Sequence, residues 1–416
     1  MSSIDHDDWQ ARYRADLVST FATPSLLLHH GQGAWVWDTD GNKYLDFVGG
    51  IAVNSLGHAH PVLIEAVTRQ VSLAAHISNL FASEPQLELA ERLKRLTGAG
   101  EDGRAFFANS GTEANEAAFK LARLNRGDDG RKVRIVSLVN GFHGRTMGAL
   151  ALTGKDYMRA PFEPMVAGVE YIHATLEELE AVIDDTVAAI FVEPLQGEAG
   201  VIELPDGFFT RARELTQRHG ALLIVDEVQT GAGRTGDWFG FQHEGIVPDA
   251  ITLAKGMAGG VPIGALITFG RASQLFTQGQ HGTTFGGNPL AAAAANAVLG
   301  EIEASDLVGN ARERGEQLKA AIAGLDSPLI SGTRGRGLLI GIALTEPVAE
   351  QLVTEARAHG LIINATGADS IRLAPPLVIG DIEVDEFRTR FAATLAGAEA
   401  RFASEPDGEP NGKVTA

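Results

Sequence analysis

The sequence predicts an α/β protein, with one large unit built on a mostly parallel sheet flanked by helices and a smaller α+β unit after it. Three observations carry this. Short apolar runs of strand length recur between residues 104 and 270, each bounded by turn residues. Segments with a helical period lie between several of them. After about residue 305 the order is helix, strand, helix and strand, which marks the smaller unit.

The N-terminal "MSSIDHDDWQARYRADL" is polar and acidic. It predicts a loose arm to about residue 15 and no secretory signal. "AWVWDTDGNKYLDFVGG" (34–50) has Asp-Gly at 40–41 between two strand-like runs, which predicts a β-hairpin. The strand candidates of the large unit are "RAFFANS" (104–110), "RIVSLVN" (134–140), "AAIFVEP" (188–194), "ALLIVDEV" (221–228), "DAITLAK" (249–255) and "GALITFG" (264–270). "TEANEAAFKLARL" (112–124) and "GFFTRARELTQRHG" (207–220) are helical between them. After about residue 305 come a helix, "NARERGEQLKAAIAG", a strand, "RGLLIGIAL", a helix, "PVAEQLVTEARAHG", and a strand-like "SIRLAPPL". The closing "SEPDGEPNGKVTA" is rich in Pro, Gly and charge, which predicts a disordered tail. The expected division is 1–56 (arm and hairpin, packing with the small unit), 57–304 (large unit), 305–402 (small unit) and 403–416 (tail).

Of 416 residues, 44% are hydrophobic, enough for a large core, and 34 Lys+Arg stand against 53 Asp+Glu for a net charge of −19. That balance argues against nucleic acid or an anionic membrane as partner. With no cysteine, disulfides, thiolate metal sites and cysteine nucleophiles are excluded. "PLAAAAANAVLG" (289–300) is too short to cross a bilayer. A soluble, cytoplasmic protein is expected.

Lys255 ends the run "DAITLAK", with glycines directly after it. It is either a lysine snorkelling at a strand edge or a desolvated nucleophile with a lowered pKa. In "FFANSGTEANEAAFK", Ser110, Gly111 and Thr112 lie between a strand and a helix, where free amides favour an anion. The plain alternative is an ordinary helix cap. "LLIVDEVQTG" ends a strand on Asp226 and Glu227, at the edge where open α/β sheets bind ligands. "GAGRTG" (231–236) matches G-x-G-x-x-G, but no helical period follows, so a nicotinamide dinucleotide is not expected. "GHAHP" (57–61) and His143 read as helix-entry and packing histidines, and no metal is expected. Arg145, in a glycine-broken loop, and Arg372, in "SIRLAPP", together suit a substrate with two carboxylates. A lysine nucleophile, a strand-end aspartate and a phosphate cup are what a pyridoxal phosphate site requires.

"LLIVDEVQTGAGRTG", "ITLAKGMAGGVPIGA" and "HGTTFGGNPLAAAAA", in this order and spacing, resemble the fold type I, class III (ω-amino-acid) aminotransferases. The resemblance runs from about Phe21 to about Ala400. "GGIAVNSLGHAHP" and "INATGADSIRLAPPL" are similar to the acetylornithine aminotransferase branch. The resemblance implies that residues 57–304 form the pyridoxal 5'-phosphate domain and that Lys255 is the Schiff-base lysine. By the same resemblance Asp226 meets the pyridine nitrogen, Gln229 the ring hydroxyl and Phe142 the ring face. Ser110, Gly111 and Thr112 would hold the phosphate, and Glu193 would contact the cofactor region. Thr284 would reach the phosphate of a neighbouring subunit in a homodimer, with Thr283 beside it on the substrate side. Arg145 and Arg372 would bind carboxylates, and Glu198 would pair with Arg372 when no carboxylate is needed there.

The implied reaction moves the terminal amino group of N2-acetylornithine to 2-oxoglutarate. Phe21 and Ile51 stand where ornithine aminotransferases carry tyrosines, which weakens the case for free ornithine, whose α-ammonium wants polar partners. The alternatives within the class are ornithine, 4-aminobutyrate or N-succinyl-diaminopimelate as donor, and then a PLP-dependent aminomutase. A non-catalytic cofactor-binding protein ranks below these, since it has no need of Lys255.

Overall fold

The computed structural model describes residues 9–404, and its main sheet is made from the expected apolar runs. The sheet has seven strands, in the order Arg104–Ala108, Gly264–Thr268, Ala250–Leu253, Leu222–Asp226, Val187–Val192, Arg134–Leu138 and Val169–Ile172. Gly264–Thr268 runs antiparallel to both its neighbours, and the other pairs are parallel. Every residue of the four strands at 187–192, 222–226, 250–253 and 264–268 is buried, which is why they lack alternation. The seventh strand, Val169–Ile172, was not marked by the sequence: it is a short edge strand with Glu170 in it and only Ile172 buried.

The flanking helices form where expected. Gly111–Leu124 is capped by Ser110, whose hydroxyl accepts from the Glu113 amide at 3.3 Å. It buries Ala114, Ala117, Ala118 and Leu121 against the sheet. Phe208–His219 stops at Gly220, which takes the left-handed conformation at φ 62°.

A second, four-stranded sheet is ordered Ile330–Arg336, Leu339–Leu344, Ser370–Leu373, Asn364–Gly367, antiparallel throughout. The helices Leu307–Ala323, Ala349–Ala358 and Asp381–Ser404 accompany it. The expected hairpin is present as Trp35–Asp38 and Lys43–Asp46. Leu361–Ile362 joins it in parallel, with Leu45 opposite Leu361. Phe47 stacks on Phe387 at 4.8 Å, so the first and last parts of the chain share one core.

The loose arm requires correction: Trp9–Asp16 is a helix. It buries no residue and so carries no apolar stripe, but its Ala, Gln and Arg are good helix formers. Gln10 also ties it to the Pro24 carbonyl at 3.0 Å. The rest of the arm, 1–8, and residues 405–416 of the expected tail lie outside the described residues. No helix among the described residues is long and apolar enough to cross a membrane.

Candidate active site

The strand ends that carry Asp226 and Lys255 open onto one cavity of about 370 Å³. Lys255 opens a single 3-10 turn, Lys255–Met257, with φ 40°. A non-glycine residue held there costs on the order of 1–3 kcal/mol, so its surroundings must enforce it. They do: the Ser55 hydroxyl donates to the Gly256 carbonyl at 2.9 Å, and a Cβ on Gly256 would come within 2.6 Å of the same oxygen. The Lys255 side chain lines the cavity. Part of its surface faces that space, yet the protein around it is dense. Burial pushes its pKa down, Glu198 opposes this and Arg372 adds to it.

Asp226 is buried at the other side of the cavity. Its Oδ1 accepts from the Val228 amide at 3.0 Å. Its Oδ2 accepts from Asn115 Nδ2 at 2.8 Å and meets His143 Nδ1 at 2.8 Å. Asn115 is fixed in turn by the His143 carbonyl at 2.7 Å and the Thr252 hydroxyl at 2.9 Å. Burial works against a charged His143, but the hydrogen bond and charge of Asp226, with Glu193, outweigh it and raise its pKa. The expectation of a mere packing histidine is thereby corrected: His143 is part of the site. Its Nε2 is buried with no partner. No motif marked Asn115; its only sign was a polar side chain among the buried alanines of its helix. Glu193 also lines the cavity and accepts from the Phe142 amide at 2.9 Å. Burial pushes its pKa up to about 7, against the pull of His143.

The start of the Gly111 helix forms the cavity's third wall. Ser110 acts as its cap, and its hydroxyl also donates to Glu113 at 3.2 Å. The Gly111 and Thr112 amides belong to the first turn, where a helix leaves N–H groups unpaired. The Thr112 oxygen accepts from the Arg145 and Thr146 amides, both at 3.2 Å. A Cβ on Gly111 would meet Val228 at 2.8 Å, so the backbone approach there requires glycine. The aromatic ring of Phe142, half-buried, completes the lining with Arg145, whose guanidinium lies 5.8 Å from that ring.

Glu198 lines the cavity too, and behind it Arg372, fully buried and outside the lining, pairs with its carboxylate at 2.5 Å. Arg372 also donates to Gln229 Oε1 at 3.1 Å and the Gly197 carbonyl at 3.4 Å. Gln229 Nε2 returns to Glu198 at 3.4 Å. Gln229 lines the cavity, but its amide is committed to this pair. Burial alone would raise the Glu198 pKa, and Arg372 more than reverses that, leaving it lowered. Thr283 and Thr284 are not among the lining residues. Thr283 accepts from Asn109 at 3.3 Å, and Thr284 is exposed. Phe21 is 78% exposed and Ile51 sits in the left-handed region, both outside the lining. No cluster of metal-ligating side chains exists among the described residues.

The model of the family "Aminotransferase class-III" matches residues 19–395. The chain belongs to the class III aminotransferases. As a class III aminotransferase it is 51% identical over 385 residues to the acetylornithine aminotransferase of Mycobacterium tuberculosis, covering 92% of this chain and 95% of that one. Its fold resembles the N-acetylornithine aminotransferase of Stenotrophomonas maltophilia (TM-score 0.82, 35% identity, 94% and 99% coverage). It also resembles an ornithine aminotransferase of Toxoplasma gondii with partial occupancy of PLP at its active site (TM-score 0.89, 32% identity, 95% and 96% coverage).

Proposed function

We propose that this class III aminotransferase moves the terminal amino group of N2-acetylornithine to 2-oxoglutarate, giving N-acetylglutamate 5-semialdehyde and glutamate, a step of arginine biosynthesis. The observation that carries it is the convergence of Lys255, Asp226 and Glu198 on one cavity, with Arg372 paired to Glu198 behind the lining. The roughly 50% identity to acetylornithine aminotransferases supports the choice of donor.

The donor set fits pyridoxal 5'-phosphate: a buried carboxylate, a desolvated lysine and a helix start with open amides around the same space. Bound there, the cofactor supplies an aldehyde that takes up the amino group and a ring that accepts an electron pair. Asp226 would keep the ring nitrogen protonated, and Phe142 would cover a ring face. Ser110, Gly111 and Thr112 would hold the phosphate, and Glu193 would border the ring. Lys255 would hold the aldehyde carbon at rest. Its Nζ would also serve as the general base toward the substrate carbon that bears nitrogen, a role suited by its lowered pKa. Arg145 would take the carboxylate of N2-acetylornithine while Glu198 neutralises Arg372. 2-Oxoglutarate would use both arginines, which requires Glu198 to move off.

We read residues 57–304 as the cofactor-carrying unit and 305–402 as the smaller one that brings Arg372. We also read the enzyme as cytoplasmic and as a homodimer. Exposed Leu73, Leu80, Phe81 and Phe285 support the dimer. Asn79 meets the Gly286 carbonyl and His76 the Phe285 ring, which brings the 73–81 segment against 283–287, beside Thr284. Thr284, outside the lining of its own cavity, would serve the partner's phosphate.

The test is the visible spectrum of the protein loaded with pyridoxal phosphate. N2-acetylornithine without a keto acid should bleach the yellow band, and 2-oxoglutarate should restore it. Bleaching only by ornithine, 4-aminobutyrate or N-succinyl-diaminopimelate would move the substrate within the class. Failure to acquire any band would overturn the role of Lys255.

A further inference from the structure

Glu198 can leave Arg372 for a substrate carboxylate only if its own carboxylate finds another partner. An ionised carboxylate leaving a guanidinium inside the protein is otherwise stranded. Arg372 is 1% exposed along its side chain and cannot move away, whereas the Glu198 side chain is 28% exposed and can rotate. Lys155 stands at the pivot of that rotation. It follows the short helix Met147–Leu152, and its Nζ donates to the main-chain oxygen of Glu198 at 2.7 Å. It is half-buried. Burial pushes its pKa down, with Glu198 and Glu193 opposing and Arg372 and Arg145 adding to the depression. Lys155 is thus within electrostatic reach of Glu198, Glu193, Arg372 and Arg145. Its ammonium is not paired with the Glu198 carboxylate, which rests on Arg372.

We propose that Lys155 is the second berth of the Glu198 carboxylate, taking it up when Arg372 is given to a dicarboxylate substrate. The main chain of Glu198 stays fixed by the Lys155 hydrogen bond while rotation about its side-chain torsions carries the carboxylate between staggered positions. Lys155 is a positioning residue: it acts on the acceptor substrate through Glu198. The inference rests on the gating role of Glu198 given above.

The test uses the holoenzyme, with the two half-reactions followed separately and with glutarate, a dicarboxylate that cannot react, titrated calorimetrically. In Lys155→Met, glutarate and 2-oxoglutarate should bind about tenfold more weakly, the size of one coupled charge pair, with the N2-acetylornithine half-reaction changed less than about twofold. Lys155→Arg should recover most of the loss. In a Glu198→Ala background, where glutarate should bind more tightly than to the wild type, Lys155→Met should have no further effect. Equal damage to both half-reactions would overturn the proposal. So would a Lys155→Met effect that persists in the Glu198→Ala background, since that would make Lys155 a direct carboxylate ligand and leave the gate standing. Glu198→Ala with unchanged glutarate affinity would overturn the gate and this proposal together.

Discussion

His143 and Asp226 share a 2.8 Å hydrogen bond between Nδ1 and Oδ2 at a place where they are 2% and 4% exposed. The bond joins a loop after one strand to the end of another, and it selects which Asp226 oxygen remains available to the Val228 amide. His143→Leu should cost about 2 kcal/mol of stability, the scale of a hydrogen bond to a charged group, read by urea unfolding. A loss near zero would mean that Asn115 and Val228 suffice to hold the carboxylate.

Lys255→Ala should lower turnover by at least roughly 10⁴-fold, because the proposed general base and the proposed covalent anchor are lost together. The fold should survive, as circular dichroism would record. Residual activity within tenfold of the wild type would place the base elsewhere.

Arg372→Ala removes the guanidinium proposed to take the second carboxylate of 2-oxoglutarate. The 2-oxoglutarate half-reaction should lose about 2–5 kcal/mol of binding, the cost of truncating one partner of a buried charge pair. The N2-acetylornithine half-reaction should lose much less. Single-turnover bleaching and recovery rates measure the two directly, and equal losses would contradict gating by Glu198.

Glu227 accepts from the Gly240 amide at 2.9 Å, the Phe241 amide at 2.7 Å and the Thr230 hydroxyl, yet burial pushes its pKa from 4.5 to about 7. Between those values the folded chain holds a proton that the unfolded chain has released. Stability therefore falls as pH rises through this window and levels off above it. The full fall is roughly 3 kcal/mol for this one group. Glu227→Gln should flatten the curve of unfolding free energy against pH by that amount. Glu193, shifted in the same direction, leaves the variant a residual slope.

The placement of Lys255 and Asp226 at one cavity was legible in the sequence. Lys255 and Asp226 each close a continuous apolar run, and parallel strands must present those ends to one crevice. Ser110 was legible both ways, as cap and as cup wall, and the structure shows the cap bond directly. Asn115 and His143 were not legible, because their reason is a meeting of three segments far apart in sequence. Gln229 was expected at the ring hydroxyl; its amide bonds Glu198 and Arg372, a close approach that Gly197 permits, since a Cβ there would stand 1.9 Å from Gln229 Oε1. The edge strand Val169–Ile172 and the helix Trp9–Asp16 escaped detection for one reason: neither buries enough surface to leave an apolar pattern.

The pairing of Leu45 with Leu361 has a consequence for synthesis. The hairpin strand at 43–46 leaves the ribosome early, but the strand that completes its sheet is made near the end. At about 5–20 residues per second the wait is on the order of 15–60 s. During it the edge of that hairpin is open to any other nascent strand, and the side chain of Phe47 lacks Phe387. Chaperone dependence during translation should therefore concentrate on the first fifty residues, and a circular permutant that joins the two segments early should be freed from it.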